Sequence, residues 1–159
     1  VSKIAMALRQ TDLPGKSLEL GLPEAIFSDA NESVSDCLKQ LKALGVYLSV
    51  DDFGTGYAPM NYLTSHNLDE IKISRRFVAQ CDSSEESGKL VTTIIAIAKS
   101  LDLNLVAEGV ETEAQQHFLR KQGAKIMRGY LFSPAVTVDQ LKPLLVPWHF
   151  MEQSHQTGA

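Results

Sequence analysis

The chain has 159 residues, of which 44% are hydrophobic, 21% charged and 7% aromatic; this is one domain's worth of ordinary globular sequence and excludes disorder as the ground state. Lys and Arg number 15 against 19 Asp and Glu, a net charge of −4 without any long basic run, so no nucleic-acid polymer is expected as a partner. No apolar stretch approaches the roughly 20 residues of a membrane-spanning helix, and no direct membrane contact is expected.

The opening VSKIAMALRQ spaces its apolar residues as an amphipathic helix and lacks the pattern of a signal peptide. Pro14-Gly15 breaks it. Leu18 to Leu22 alternates with period two and reads as a strand. Asn31 or Ser33 caps a helix that runs to Leu44, with Val34, Cys37, Leu38, Leu41 and Leu44 on one face and Gly45 as its stop. Val46 to Val50 is a short buried strand, ending in Asp51-Asp52-Phe53-Gly54-Thr55-Gly56. Pro59 to Leu63 forms a helical turn, and Glu70 to Ile73 a strand. Ser83 to Glu86 has the capping-box pattern, and Leu90, Val91, Ile94, Ile95, Ala98 and Leu101 follow at helical spacing. Asn104 to Ala107 is a strand, Thr112 to Gln115 a second capping box, and Gly123 the stop of its helix. Lys125 to Met127 is the last strand, and Thr137 to Gln140 a third box before a short helix broken at Pro143 and Pro147. Residues 1–146 form the domain and 147–159 a polar tail. Cys37 and Cys81 stand in no metal-type spacing and predict free thiols in a reducing, cytoplasmic setting.

Short apolar strands alternating with helices predict an α/β fold with a parallel sheet. A doubly wound sheet and a (β/α) barrel both fit, and both gather ligand groups at the carboxyl ends of strands. There the chain places Asp51, Asp52, Lys72, Glu108, Glu111 and Arg128. Carboxylate oxygens suit Mg²⁺ or Mn²⁺, and two such ions can activate water against a phosphodiester. Each residue also has a plainer reading. A DD pair makes turns and caps, Glu111 sits favourably before a helix, and a lone lysine snorkels.

Taken together, DDFGTGY at Asp51 to Tyr57, Lys72-Ile73, AEGVET at Ala107 to Thr112 and GYLFSP at Gly129 to Pro134 resemble, in order and spacing, the EAL domain family of bacterial cyclic di-GMP phosphodiesterases. The resemblance implies a TIM-like barrel, two Mg²⁺ or Mn²⁺ ions, and hydrolysis of cyclic di-GMP to linear pGpG. It implies metal ligation by Asp51, Asp52 and Glu108, contact of Lys72 with water and substrate phosphate, and support from Glu24 and Glu111. The segment from Gly54, Thr55 and Gly56 to Leu63 matches the loop that orders the metal site and communicates with a dimer partner.

The departures lie on the same motifs. The family's first E-I-T-E glutamate, a metal ligand, is Gly21; the aspartate of K-I-D is Ser74; the glutamine before GYLFS is Arg128. The E-A-L motif itself and the later asparagine ligand are absent. Losing a carboxylate at Gly21 and gaining a cation at Arg128 both weaken a divalent-ion site, whereas a guanidinium suits a bidentate hold on phosphate. The resemblance with these departures implies a degenerate EAL-type domain, inactive as this chain, that acts as a nucleotide-binding or protein-interaction module with cyclic di-GMP, a protein partner or a sensor domain. The alternative is a metal-dependent phosphodiesterase whose N-terminal half lies outside these residues. About five βα units of an eight-unit barrel are expected. An open piece of barrel would expose inward side chains, Leu20, Val50, Ile71 and Val106 or their neighbours, and would assemble as a homo-oligomer.

Overall fold

The computed structural model describes residues 1–27, 32–56, 61–65 and 68–145; the expectations for Asn31, Pro59, Pro147 and the 147–159 tail lie outside them. Five strands form one sheet: β1 (Glu19–Pro23), β2 (Tyr47–Phe53), β3 (Glu70–Ile73), β4 (Asn104–Glu108) and β5 (Ile126–Arg128). Every pairing is parallel and the spatial order is the chain order, β1-β2-β3-β4-β5. A doubly wound sheet reverses its strand order at a switch point, and this one does not, so the architecture is an arc of a TIM-like barrel with five βα units. Among the described residues β1 and β5 are the two sheet edges, and the sheet does not close on itself.

Helices α1 (Ser2–Thr11), α2 (Glu32–Ala43), α3 (Asn61–Ser65), α4 (Arg75–Val78), α5 (Glu85–Ser100), α6 (Glu113–Gln122) and α7 (Val138–Leu141) connect and flank the strands. Both predicted caps on α6 and α7 are present as reciprocal boxes, Thr112 with Gln115 and Thr137 with Gln140. At α5 the cap is Ser84, one residue later than expected, and its side chain accepts from the Ser87 amide. Ser33 lies inside α2 and does not cap it, and Cys37 is exposed on that helix instead of joining the buried face. The four-residue α4 was not anticipated; it begins directly after Ser74. Pro143 falls in a 3₁₀ turn, Lys142–Leu145, so the last helix tightens there.

The two faces of the sheet differ sharply. Leu48, Val50, Ile71, Ile73 and Ala107 are fully buried and join Leu38, Leu41, Val91, Ile94 and Leu119 from the helices in one core. The opposite face carries Glu19, Gly21, Ser49, Asp51, Glu70, Lys72, Asn104 and Glu108, the alternate positions along the same strands. Of the expected inward set, Leu20, Val50 and Ile71 or their neighbours, the neighbours point into the barrel and the three named residues do not. They face the helices, Val50 and Ile71 with no exposure and Leu20 partly buried, while of that set Val106 alone shares the register of Lys72. The physical reason is simple: of two alternating sets, the helices take the more apolar one.

Candidate functional site

The charged face converges at the carboxyl ends of the strands, beginning with β2. Asp51 and Asp52 lie inside that strand rather than beyond it. Val50 pairs with Ile71 and Phe53 with Ile73, so β2 spends one residue more than β3 over the same span. The extra residue is accommodated by Asp52 at φ 54°, a left-handed conformation that Asp tolerates better than most side chains. This bulge lets two consecutive aspartates reach the same neighbouring strand. Asp51 Oδ1 lies 2.9 Å from Lys72 Nζ, and Ser74 Oγ donates to Asp52 Oδ1 at 2.8 Å.

Lys72 is 8% exposed and holds a second carboxylate, Glu19 Oε1, at 2.5 Å. Ser49 Oγ donates to the same Glu19 oxygen at 2.8 Å. Burial works against the Lys72 charge, but the Glu19 and Asp51 carboxylates outweigh it and hold the ammonium above the ordinary lysine value. In return Lys72, and after it Ser49, hold Glu19 below the usual carboxylate range against the cost of burial. Below them Asn104 Nδ2 donates to the Tyr47 hydroxyl at 2.6 Å, and that hydroxyl donates to Glu70 Oε2 at 3.4 Å. Glu70 is pushed up, by burial first and by the Glu19 charge next.

On the far side Arg128 Nη2 lies 2.6 Å from Glu108 Oε1, and Arg75 donates to Glu111 Oε1 at 2.8 Å. Asp51 Oδ1 and Glu108 Oε1 are both shielded from solvent and meet their cations at ion-pair distance without the alignment of a hydrogen bond. A cleft of about 580 Å³ opens beside this pair, lined by Arg75, Glu108, Glu111, Arg128, Tyr130 and Ser133 among others. The loop after β2 is tied from below: Glu24 Oε2 accepts from the amides of Gly54 (2.9 Å) and Gly56 (3.0 Å), and Thr55 Oγ1 donates to the Asp52 carbonyl.

The structure thus brings Asp51, Asp52 and Lys72 together, and separately Glu108 with Arg128 and Glu111 with Arg75. Two members of the site escaped the sequence reading, Glu19 and Arg75. Glu19 had a signal, since it alternates with Gly21 and so shares its face. A divalent ion would have to compete with Lys72, Ser74 and Arg128 for the side chains present. Among the described residues no three His, Cys, Asp or Glu side chains are placed to hold a metal ion. Gly21 offers no oxygen, and a Cβ built there would overlap the Asp51 carboxylate, which already fills that space.

Known proteins resemble this chain in sequence and in fold. The cyclic di-GMP phosphodiesterase NbdA of Pseudomonas aeruginosa is 37% identical over 150 residues, which are 94% of this chain and 19% of that protein. A solved complex of the PaMucR phosphodiesterase with c-di-GMP superposes with a TM-score of 0.84 at 37% identity, covering 88% of this chain and 57% of that one. A manganese and cyclic di-GMP complex of Klebsiella pneumoniae BlrP1 superposes at 0.77 with 27% identity, over 84% of this chain and 34% of the other. Such complexes mark the family as one that uses divalent metal. The chain spans about a fifth of the length of the curated relatives it matches. Residues 1–135 match the EAL domain as a family, and with the barrel arc that superposes on solved members this chain belongs to it.

Proposed function

We propose that this chain is part of an EAL domain of cyclic di-GMP signalling that binds the nucleotide without hydrolysing it and passes its state to a protein partner or sensor domain. The observation that carries this reading is the chemistry of three positions. Gly21 and Ser74 stand where the resemblance puts carboxylates, and Arg128 stands where it puts a neutral amide, paired with Glu108. Two carboxylates lost and one cation gained remove much of what a two-metal hydrolysis requires. Binding is supported by the cleft beside Arg75, Arg128 and Tyr130, since guanidinium groups hold phosphate by paired hydrogen bonds and an exposed aromatic ring can stack on a base.

The rival reading, a metal-dependent phosphodiesterase to pGpG, has in its favour the presence of Asp51, Asp52, Lys72 and Glu108 and the activity named for NbdA. Incubation with cyclic di-GMP and Mn²⁺, followed by chromatography for pGpG, separates the two. The expected result is no product above an Asp51→Ala blank, together with calorimetric binding of cyclic di-GMP that falls about tenfold or more in Arg128→Ala. Product above the blank would establish the rival.

A further inference from the structure

The aspartates and glutamates of this rim are already engaged, and the two cations that engage them differ in kind. Lys72 is buried and touches Glu19 and Asp51 at once. Arg128 is 63% exposed at its side chain and touches Glu108, whose own side chain is only 18% exposed. Asp52 takes its hydrogen bond from Ser74. We infer that Lys72 and Arg128 are the built-in counter-ions of this rim, holding Glu19, Asp51 and Glu108 where a divalent ion would otherwise compete for them, so that its folding and ligand binding draw on none. The inference rests on the non-hydrolysing reading above and deepens it by stating what neutralises the carboxylates.

The two halves have unequal hold. To ligate through Asp51, a metal would have to compete with a buried ammonium that holds two carboxylates, leaving that charge with Glu19 alone and largely out of water. Gly21 reinforces this half: the space a side chain would occupy is taken by the Asp51 carboxylate, drawn toward β1 beside Glu19. On the other half, the exposed guanidinium can regain water when it swings away, but it leaves the shielded Glu108 oxygen without its cation. What keeps a metal off Glu108 is therefore the guanidinium charge and the lack of further oxygens, Ser74 supplying a hydroxyl that is already used. Replacing Arg128 by Gln and Ser74 by Asp makes the rim two charges more negative and adds one carboxylate beside Asp52, without touching the Lys72 half.

The test reads metal rather than product. Titration with Mn²⁺, followed by the electron-paramagnetic signal of the free ion and by the melting midpoint, is run on the wild type, Arg128→Gln and Ser74→Asp/Arg128→Gln. The wild type is expected to leave the free-ion signal intact at millimolar Mn²⁺ and to melt at the same temperature with Mn²⁺ or with a chelator. The double variant is expected to take up Mn²⁺ about tenfold or more tightly than the wild type and to melt higher with the metal, an increase that the chelator removes. Arg128→Gln, at an exposed position that the fold tolerates, is expected to show the weaker part of that gain and carries the test if the double variant does not fold. Chelator-reversible uptake by the wild type, or no uptake by a folded Arg128→Gln and a folded double variant, would overturn the inference. Uptake by the wild type without pGpG formation would sink this inference alone and leave the non-hydrolysing reading standing.

Discussion

Glu70 and Glu19 sit on the same polar face and feel opposite environments. Glu19 has Lys72 and Ser49 as partners and is held below the usual carboxylate range; Glu70 is buried beside Glu19 and is pushed above it. The consequences for stability have opposite signs. The Glu19 contribution is present above the unfolded carboxylate value and is lost as pH falls through its lowered folded value. Glu70 binds its proton more tightly in the folded state, so its ionisation costs stability as pH rises through the carboxylate range, and that cost is full at neutral pH. Glu70→Gln keeps an acceptor for the Tyr47 hydroxyl and removes the charge. It is expected to raise the urea midpoint at pH near neutral, with the gain shrinking to nothing as the pH falls below the carboxylate range. A loss of stability at neutral pH would show that Glu70 is held by its contacts rather than burdened by its charge.

The bulge in β2 and the loop that follows it act as one element. Asp52 takes the left-handed conformation, Phe53 returns to the core, and the next turn is fixed when Glu24 accepts from two of its amides. Glu24 is 6% exposed and comes from the turn after β1, so the first and second strands share responsibility for where the aspartates point. Glu24→Ala leaves the Gly54 and Gly56 amides without their acceptor. The expected cost is about 1–3 kcal/mol in denaturant unfolding, with faster hydrogen exchange at those two amides than elsewhere on the sheet. A variant with wild-type stability and unchanged exchange would mean that the loop is held by other contacts.

At the scale of the molecule the sheet ends in two parallel edges, and β5 and the chain after it carry exposed Ile126, Tyr130, Phe132 and Val138. Unpaired strand edges with apolar neighbours favour pairing with another chain. The driving surface is the edge rather than the open face, because that face is largely charged and polar. The 159-residue chain by itself is therefore expected to form a dimer or higher oligomer. Light scattering that returns the 17.5 kDa monomer at micromolar concentration would count against this.

Much of the site was readable because it is local. Asp51, Asp52, Glu108 and Arg128 follow short apolar runs, Lys72 sits between two isoleucines, and the strand at Glu70–Ile73 and the caps at Thr112 and Thr137 are fixed by neighbours within a few residues. Alternation along a strand also says which residues share a face. It cannot say which of the two faces meets the helices, and so the choice between Val50 and Ile71 and their neighbours stays open until the helices are placed. Nor can it say what lies opposite. The pairing of Lys72 with Glu19, of Arg128 with Glu108 and of Ser74 with Asp52 depends on register between strands far apart in the chain, and on one extra residue in β2. The sequence alone determined the strand-end chemistry and the order of the elements, because both are set by residues adjacent in the chain. Only the tertiary structure decided which charges neutralise which, because register and bulge are settled when helices and strands pack together.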